Sequence, residues 1–171
     1  MEVRLLRPDE RQAWEPLWQG YLTLYGSSAR DDVTAPTRER FHDPAEPMYA
    51  YGAYIEGRLA CTTHLILHRS TWTASPSCCL QDLFISVWAR RRGMARAPIE
   101  RAREEAVRLG AGQIYWLTLV SNSEAHTLYD QVAARTGCIA FCSVLSAMTS
   151  VSARSRGGDA EARVNHMGDR P

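Results

Sequence analysis

The sequence predicts a single α/β (α+β) domain with a mixed, mostly antiparallel sheet and helices on both of its faces. Three observations lead to this fold class. The chain has 171 residues, enough to bury one proper core. Segments with the two-residue alternation of strands lie between segments with helical periodicity. The predicted elements follow the order β-α-α-β-β-β-α-β-α-β, which is typical of a mixed sheet with helices on its faces.

The first third of the chain predicts one strand and two helices. A short apolar strand lies around Val3. Apolar residues then recur at three- and four-residue steps from Trp14 to Tyr25, which indicates an amphipathic helix. Gly26 follows its last turn, as glycine commonly does at helix ends. After a polar loop from Ser27 to Pro36, we expect a short helix within Thr37 to His42.

Three strands follow in the middle of the chain. The first is Met48 to Ile55, which is rich in tyrosine. Glu56-Gly57 has the composition of a hairpin turn. The second strand is Leu59 to His68, where residues alternate between two faces. A loop then leads to the third strand, Cys79 to Val87.

The second half predicts helices that alternate with strands. Apolar spacing indicates a helix from Ala95 to Leu109 and a strong strand from Gln113 to Val120. Ser121 and Glu124 have the spacing of a capping box at the start of another helix. Cys138 to Leu145 is the last predicted strand.

The composition changes near residue 150. The segment from Val151 to Pro171 has no aromatic residue and no apolar period. We therefore expect a domain over residues 1–149 and a disordered tail over residues 150–171.

All 20 basic residues are arginine, and the sequence contains no lysine. This excludes Schiff-base and pyridoxal-phosphate chemistry, which need a lysine amine, and the P-loop, which needs a Gly-Lys step. The formal net charge of +1 gives no field that would attract nucleic acid. We expect no nucleic-acid partner.

The sequence predicts no membrane segment and no metal site. The longest mostly apolar stretch, Cys138 to Met148, is too short to span a bilayer. The start, Met1 to Arg4, lacks the apolar core of a signal peptide, so we expect a cytoplasmic protein with reduced cysteines. Strand alternation places Cys61 and His64 on opposite faces, which argues against a zinc site between them.

The segment from Asp82 to Ala95 carries the strongest local signal of function. It reads as a strand, a basic turn and a helix N-terminus. The unpaired N–H groups and the dipole of a helix N-terminus attract anions, and neighbouring arginines add formal positive charge. The arrangement indicates a phosphate or pyrophosphate cradle. The alternative is a solvated arginine cluster ahead of an ordinary helix.

Two motifs in register resemble one known family. Arg90 to Ala95 is similar to the R/Q-x-x-G-x-G/A signature of the GNAT superfamily of N-acetyltransferases. Asn122 to Tyr129 is similar to that family's second signature, again between a strand and a helix. His68 to Trp72 and Leu80 to Phe84 resemble its histone/polyamine-type branch. The resemblance covers roughly residues 2–142.

This resemblance implies direct, acetyl-CoA-dependent transfer of an acetyl group to a primary amine such as a polyamine, an amino acid, an aminoglycoside or a lysine-like acceptor. In the family, the strand that ends in the first signature is bulged and splays from its neighbour, and the pantetheine arm pairs with its backbone. Homodimers are frequent in this family, so the resemblance also implies a possible homodimer. The implied cofactor-binding residues are Phe84, Ile85, Val87, Arg90, Arg91, Arg92, Gly93, Met94, Ala95, Arg96 and Asn122.

The resemblance implies a general acid but leaves the base open. Tyr129 occupies the family's acid position, and a phenol with a reference pKa of about 10 can protonate a leaving thiolate. The alternative is a core tyrosine on the buried stripe. Where relatives commonly have glutamate, this chain has Gln81, which cannot accept a proton from an ammonium. Asp82 is the first candidate base, with His64 and His68 as alternatives.

Other interpretations stay open for several of these residues. Asn122 could simply cap a helix, Arg96 could be a solvated surface residue, and Tyr25 could line the acceptor pocket or belong to a core stripe. The substitution at Gln81 also motivates a different class of protein, a non-catalytic acyl-CoA-binding module. A third class, nucleic-acid binding through residues 90–92, is opposed by the near-neutral charge.

Overall fold

A computed structural model of the chain describes residues 1–27 and 31–143. Five strands within them form one sheet in the order β1-β2-β3-β4-β5, in which β1 to β4 pair antiparallel and β5 pairs parallel with β4. The strands are β1 (Glu2–Leu5), β2 (Met48–Ile55), β3 (Arg58–His68), β4 (Ser77–Ile85) and β5 (Gln113–Tyr115). The predicted mixed, mostly antiparallel sheet is therefore confirmed.

The described residues contain four α-helices and two short 3₁₀ turns. The helices are α1 (Arg11–Leu24), α2 (Asp31–Arg40), α3 (Arg96–Arg108) and α4 (Ser123–Val132). The 3₁₀ turns are Pro8–Glu10 and Val87–Ala89. No helix in this part of the chain is long and apolar enough to cross a membrane.

The β2–β3 hairpin turns at the predicted dipeptide. Glu56 and Gly57 both have positive φ values, 49° and 77°. Two consecutive left-handed residues are what a two-residue type I′ turn requires, and this turn matches the twist of the two strands that it joins. The hairpin fixes the register that aligns β3 with β2.

Helices cover both faces of the sheet, as the sequence predicts. Trp14 and Trp18 of α1 are buried against one face in a cluster that includes Phe84 of β4. The next residue, Ile85, packs with Met94 just ahead of α3 in a separate cluster. Because successive strand residues point to opposite faces, α1 and the start of α3 lie on opposite sides of β4.

The prediction for α2 was wrong at its start. The helix begins at Asp31, six residues before the predicted Thr37. Its buried positions are polar: Thr34 and Arg38 are four residues apart, and Arg38 donates to the carbonyl oxygens of Arg7 and Pro8 at 2.6 and 3.1 Å. A helix anchored by polar side chains has no apolar period, so hydrophobic periodicity could not reveal it.

Two strand predictions near the C-terminus were also wrong. β5 ends at Tyr115 and does not continue to Val120. Residues 138–143 of the last predicted strand form no strand, and its final two residues lie outside the described part. The side chains of Leu117, Val120, Ile139 and Phe141 are exposed. Apolar strand-forming composition is insufficient here because a strand also needs a neighbour with which to exchange backbone hydrogen bonds.

The chain divides into two compact units, Met1–Leu128 and Tyr129–Pro171. The first contains the whole sheet and the helices α1 to α3. The described part of the second contains the end of α4 and the exposed segment up to Ser143. The predicted tail over residues 150–171 lies outside the described residues.

Candidate functional site

A gap in the sheet opens along one edge of β4. β4 pairs with β5 only from Ser77 to Cys79, because β5 ends at Tyr115. From Leu80 to Ile85, β4 continues with β3 on one side and, among the described residues, no strand on the other. The backbone groups of this edge have no strand partner among the described residues, and this is the edge at which the family resemblance predicts the pantetheine arm.

A bulge interrupts β4 where the gap begins. His64 pairs with Asp82, and the next residue of β3, Leu65, pairs with Leu80. Gln81 is therefore the extra residue of a β-bulge. The side chain of Gln81 is exposed, whereas that of Asp82 is buried. At the bulge, the neutral side chain of Gln81 is therefore exposed, and the carboxyl group of Asp82, which can carry a charge, is buried.

The loop between β4 and α3 has the backbone of an anion cradle. Arg91 and Gly93 are left-handed, with φ values of 58° and 69°. Left-handed residues in such loops are typical of concave nests of N–H groups that bind phosphates. A Cβ on Gly93 would meet no atom within 4 Å, so open space lies beside this backbone. The side chains of residues 90–92 are exposed around it.

Arg90 connects this cradle to the end of β4. Its Nε donates to the carbonyl oxygen of Ile85 at 3.0 Å, and its guanidinium carbon lies 5.3 Å from the centre of the Phe84 ring. The phenyl ring itself is buried against α1. Phe84 and Ile85 therefore lie at the predicted ledge. Val87 was wrongly predicted as a strand residue, because β4 ends at Ile85 and the chain turns at Val87–Ala89.

The remaining loop residues differ in what they can offer a ligand. The Met94 side chain is buried in a core cluster, so only its backbone can contribute to binding. Ala95 is half-buried, and Arg96, in the first turn of α3, is exposed. Nε of Arg91 lies 3.9 Å from a carboxylate oxygen of Glu124. This surface ion pair brings the two sequence signatures close together.

Asn122 occupies the N-cap position of α4. Its Oδ1 accepts from the backbone N–H of Ala125 at 3.4 Å, and its amide donates to the hydroxyl of Thr118, also at 3.4 Å. The helix begins at the next residue, so the prediction that Ser121 caps it was wrong. Tyr129 is half-buried on α4 and is the first residue of the second compact unit.

Asp82 is held by a buried hydrogen-bond network. Its side chain is on the α1 face of the sheet, and residue Asp82 is 7% exposed. Oδ2 lies 2.8 Å from Nδ1 of His64, whose Nε2 lies 3.0 Å from Nε1 of Trp14 and 3.1 Å from the hydroxyl of Thr62. The indole N–H only donates, so Nε2 of His64 accepts and Nδ1 carries the proton toward Asp82. This tautomer leaves His64 no free lone pair.

Tyr21 of α1 lies beside Asp82, and Tyr25 directly follows the helix. The hydroxyl of Tyr21 donates to the backbone carbonyl of Gln81 at 3.4 Å. Burial, and then the nearby Asp82 carboxylate, raise the pKa of Tyr21 well above its ordinary value. The Tyr25 ring lies 4.8 Å from that of Tyr21. A buried carboxylate beside aromatic rings suits a cationic amine.

A second histidine on this face contacts a tyrosine that sequence reasoning did not single out. Nδ1 of His68 lies 2.9 Å from the carbonyl oxygen of Arg69, and Nε2 lies 3.0 Å from the hydroxyl of Tyr115. The carbonyl only accepts, so in the neutral ring Nδ1 carries the proton and Nε2 accepts from Tyr115. Tyr115 pairs with Cys79 across the two strands. No local signal in the sequence brings His68 and Tyr115 together, because their contact depends on the register.

No group of three or more histidine, cysteine, aspartate or glutamate side chains in residues 1–27 and 31–143 could hold a metal ion. The loop and the β4 edge, by contrast, fit an anionic cofactor with an amide-bearing arm: positive charge and N–H groups lie at one end, and unpaired strand backbone lies next to them.

The chain is similar to several known acetyltransferases. D-amino-acid N-acetyltransferase HPA3 of Saccharomyces cerevisiae (strain ATCC 204508 / S288c) is 29% identical over 136 residues, which are 78% of this chain and 84% of the relative. Ribosomal-protein-alanine N-acetyltransferase from Brucella melitensis biovar Abortus 2308 matches with a TM-score of 0.69 and 17% identity, over 85% of this chain and 100% of that one. AAC(6')-Iy in complex with the bisubstrate analog CoA-S-monomethyl-acetylneamine matches with a TM-score of 0.73 and 16% identity, over 84% and 97%.

The two structural likenesses show the fold, because their sequence identities are low. The family itself follows from the sequence, since the family model described as the acetyltransferase (GNAT) family matches residues 7–133. The gap beside β4, the cradle before α3 and this match lead to one identification: the chain belongs to the GNAT family of N-acetyltransferases.

Proposed function

We propose that this N-acetyltransferase transfers the acetyl group of acetyl-CoA to a small primary amine, in the manner of the histone/polyamine-type branch that residues 68–72 and 80–84 resemble. The observation that carries the proposal is the position of Asp82. Its buried carboxylate lies on the α1 face of β4, the strand whose edge is open beside the cradle. A fixed negative charge at that place favours an ammonium acceptor.

Each part of the site has a proposed task in this reaction. Acetyl-CoA supplies the acetyl group as a thioester. The loop from Arg90 to Arg96 binds its pyrophosphate, and the backbone of Phe84 and Ile85 binds its pantetheine arm, with Asn122 beside it. Asp82 orients the acceptor ammonium. The family resemblance assigns to Tyr129 the phenolic proton that the leaving sulfur takes up.

The acceptor class is tested by following free thiol release from acetyl-CoA with a panel of amines. The panel contains polyamines, D- and L-amino acids, aminoglycosides and lysine peptides; D-amino acids are included because of the name of the yeast relative. We expect release that depends on one of these amines. If acetyl-CoA binds tightly and no amine causes release, the chain is a non-catalytic acyl-CoA-binding module.

A separate variant tests the proposed role of Tyr129 as the general acid. Tyr129→Phe removes the phenolic proton and retains the ring, so kcat should fall by about 10²-fold or more, the usual worth of a general acid. The KM for acetyl-CoA should change little. A kcat equal to that of the wild type would remove Tyr129 from the mechanism.

A pair of glycine variants tests the cradle. Gly93→Ala places a methyl group in the open space and strains a backbone with a φ value of 69°. Gly110→Ala is the matched control, because Gly110 also has positive φ, 78°, and a Cβ added there also meets no atom within 4 Å. Both variants should lose about 1 kcal/mol of stability. Only Gly93→Ala should raise the KM for acetyl-CoA; an equal rise in both would contradict the cradle.

We further propose a homodimer and a cytoplasmic location, both on the strength of the family resemblance. Sedimentation of the purified chain at micromolar concentration checks the first. A monomer over the whole concentration range would contradict it.

A further inference from the structure

We propose that Tyr115 and His68 form the pair that removes the proton from the acceptor amine, with Tyr115 as the group that meets the amine and His68 as the final proton acceptor. The inference rests on the proposed N-acetyltransfer to an amine. It names a base in a site where glutamine stands at position 81 and the sequence alone leaves several candidates.

Tyr115 lies where β4 and β5 separate. It is the last residue of β5 and pairs with Cys79, the last residue of β4 that pairs with β5. The gap beside β4 begins one residue later, at Leu80. Tyr115 is therefore at the start of the edge assigned to the thioester arm.

His68 and Tyr115 lie on the same face of the sheet as Asp82. His64 pairs with Asp82, and the extra residue of the bulge is in β4, so β3 alternates regularly from His64 to His68. Residues four apart on a regular strand share a face. The hydroxyl of Tyr115 lies 3.0 Å from Nε2 of His68. The side chains of His64, His68, Asp82 and Tyr115 are therefore on the face that also carries Tyr21 of α1.

His68 has the most available lone pair on this face. In the part of the chain that the structure describes, the groups on this face that could accept a proton are Asp82, His64, Cys79 and His68. Asp82 is buried and bonded to His64, and both the indole of Trp14 and the hydroxyl of Thr62 surround Nε2 of His64. Burial raises the pKa of the Cys79 thiol, which keeps it protonated. His68 is exposed, and in residues 1–27 and 31–143 the hydrogen-bond partner of its Nε2 is the Tyr115 phenol.

Neighbouring groups on β3 and β4 hold the pair in place. Gln81 accepts from the Cys79 thiol at 3.6 Å, and the Arg69 carbonyl fixes the His68 ring. The two rings meet edge to face with centroids 5.8 Å apart. This geometry holds one tautomer of His68, the one whose Nε2 can take a proton.

The proton step balances without any other reactant. An N–H proton of the acceptor ammonium moves to the phenolic oxygen of Tyr115 while the phenolic proton moves to Nε2 of His68. The amine keeps the electron pair of the broken N–H bond and becomes a nucleophile. His68 becomes an imidazolium and, being exposed, returns its proton to water.

The experiment compares the wild type with His68→Ala, His68→Asn, Tyr115→Phe and a control, His42→Asn, whose histidine is outside the site. His68→Asn retains an amide N–H that can donate to the Arg69 carbonyl but lacks the acceptor nitrogen. We expect kcat to fall by about 10²-fold in the first three variants, with the KM for acetyl-CoA within a few-fold of the wild type. Added imidazole should restore much of the rate of His68→Ala and none of that of Tyr115→Phe.

A second measurement does not depend on turnover. Nitrogen NMR of histidine-labelled protein should show His68 in the wild type with its proton on Nδ1, and Tyr115→Phe should shift only the Nε2 resonance of that ring. Two results would overturn the inference: His68→Ala with a wild-type rate, or a rate loss in His68→Ala and His68→Asn that imidazole leaves unchanged. If the wild type acetylates no amine at all, the proposed function fails and this inference fails with it. If the wild type is active and the variants equal it, only the inference fails.

Discussion

The contact between Gly20 and Phe84 predicts that a usually favourable substitution will be harmful. Gly20 lies inside α1, where glycine to alanine ordinarily stabilises a helix by about 1 kcal/mol. A Cβ at Gly20 would lie 2.6 Å from Cζ and 2.9 Å from Cε1 of Phe84. Such overpacking of a core typically costs about 1–3 kcal/mol. The steric cost exceeds the helical gain, so Gly20→Ala should destabilise the protein by about 1 kcal/mol.

The assay is thermal or urea unfolding of Gly20→Ala, Phe84→Leu and the double variant. For a chain of this size, about 1 kcal/mol corresponds to a fall in Tm of about 2–4 °C. In the Phe84→Leu background the ring is gone, so Gly20→Ala should there be stabilising, and the two substitutions should be strongly non-additive. Gly20→Ala should also raise the KM for acetyl-CoA, since the backbone of Phe84 belongs to the proposed binding edge. Stabilisation by Gly20→Ala in the wild-type background would refute the reasoning.

Three further predictions concern stability and reactivity. Asn122→Ala removes the cap of α4 and should lower the free energy of unfolding, measured in urea, by about 1 kcal/mol. An unchanged free energy of unfolding would mean that Asn122 does not cap the helix. A hydrogen bond from an arginine side chain lowers the pKa of Glu10 in the folded protein to about 2. The ionised carboxylate therefore stabilises the fold at pH values above the pKa that Glu10 has in the unfolded chain. This stabilisation is lost as the pH falls through about 2. Glu10→Gln should therefore cost about 2 kcal/mol at pH 7 and little at pH 2, and an equal cost at both would contradict this. Burial raises the pKa of Cys61 to about 12, so a thiol reagent at pH 8 should modify the exposed Cys138 and Cys142 and leave Cys61 unmodified until the protein unfolds.

Local patterns were enough to predict most of the sheet and the position of the loop that we expect to bind an anion. β2 is formed over the predicted residues, and the Glu56-Gly57 turn has the backbone that its composition indicates. The loop before α3 can likewise be predicted from the sequence, because its glycine, its arginines and the following helix are contiguous. Signals of this kind depend on neighbours in the chain, so one sequence is sufficient to find them.

Features that depend on register were beyond prediction. The bulge at Gln81 places Asp82 opposite His64, and nothing in the residue types marks where a strand will bulge. The contact of His68 with Tyr115 spans 47 positions and three strands. The end of β5 at Tyr115 depends in turn on where a neighbouring strand is present to exchange backbone hydrogen bonds with it. Each of these is a property of the assembled sheet, which residue types alone do not specify.

The absence of lysine gives the transfer assay an internal control. An enzyme that acetylates amines can also modify its own lysine side chains, and that reaction releases thiol without any added acceptor. This chain contains no lysine, so its only amine is the α-amino group. Mass spectrometry after incubation with acetyl-CoA alone should therefore show at most one N-linked acetyl group per chain. Two or more would mean that acetyl groups reach atoms other than amines, and thiol release could then no longer be interpreted as transfer to the acceptor.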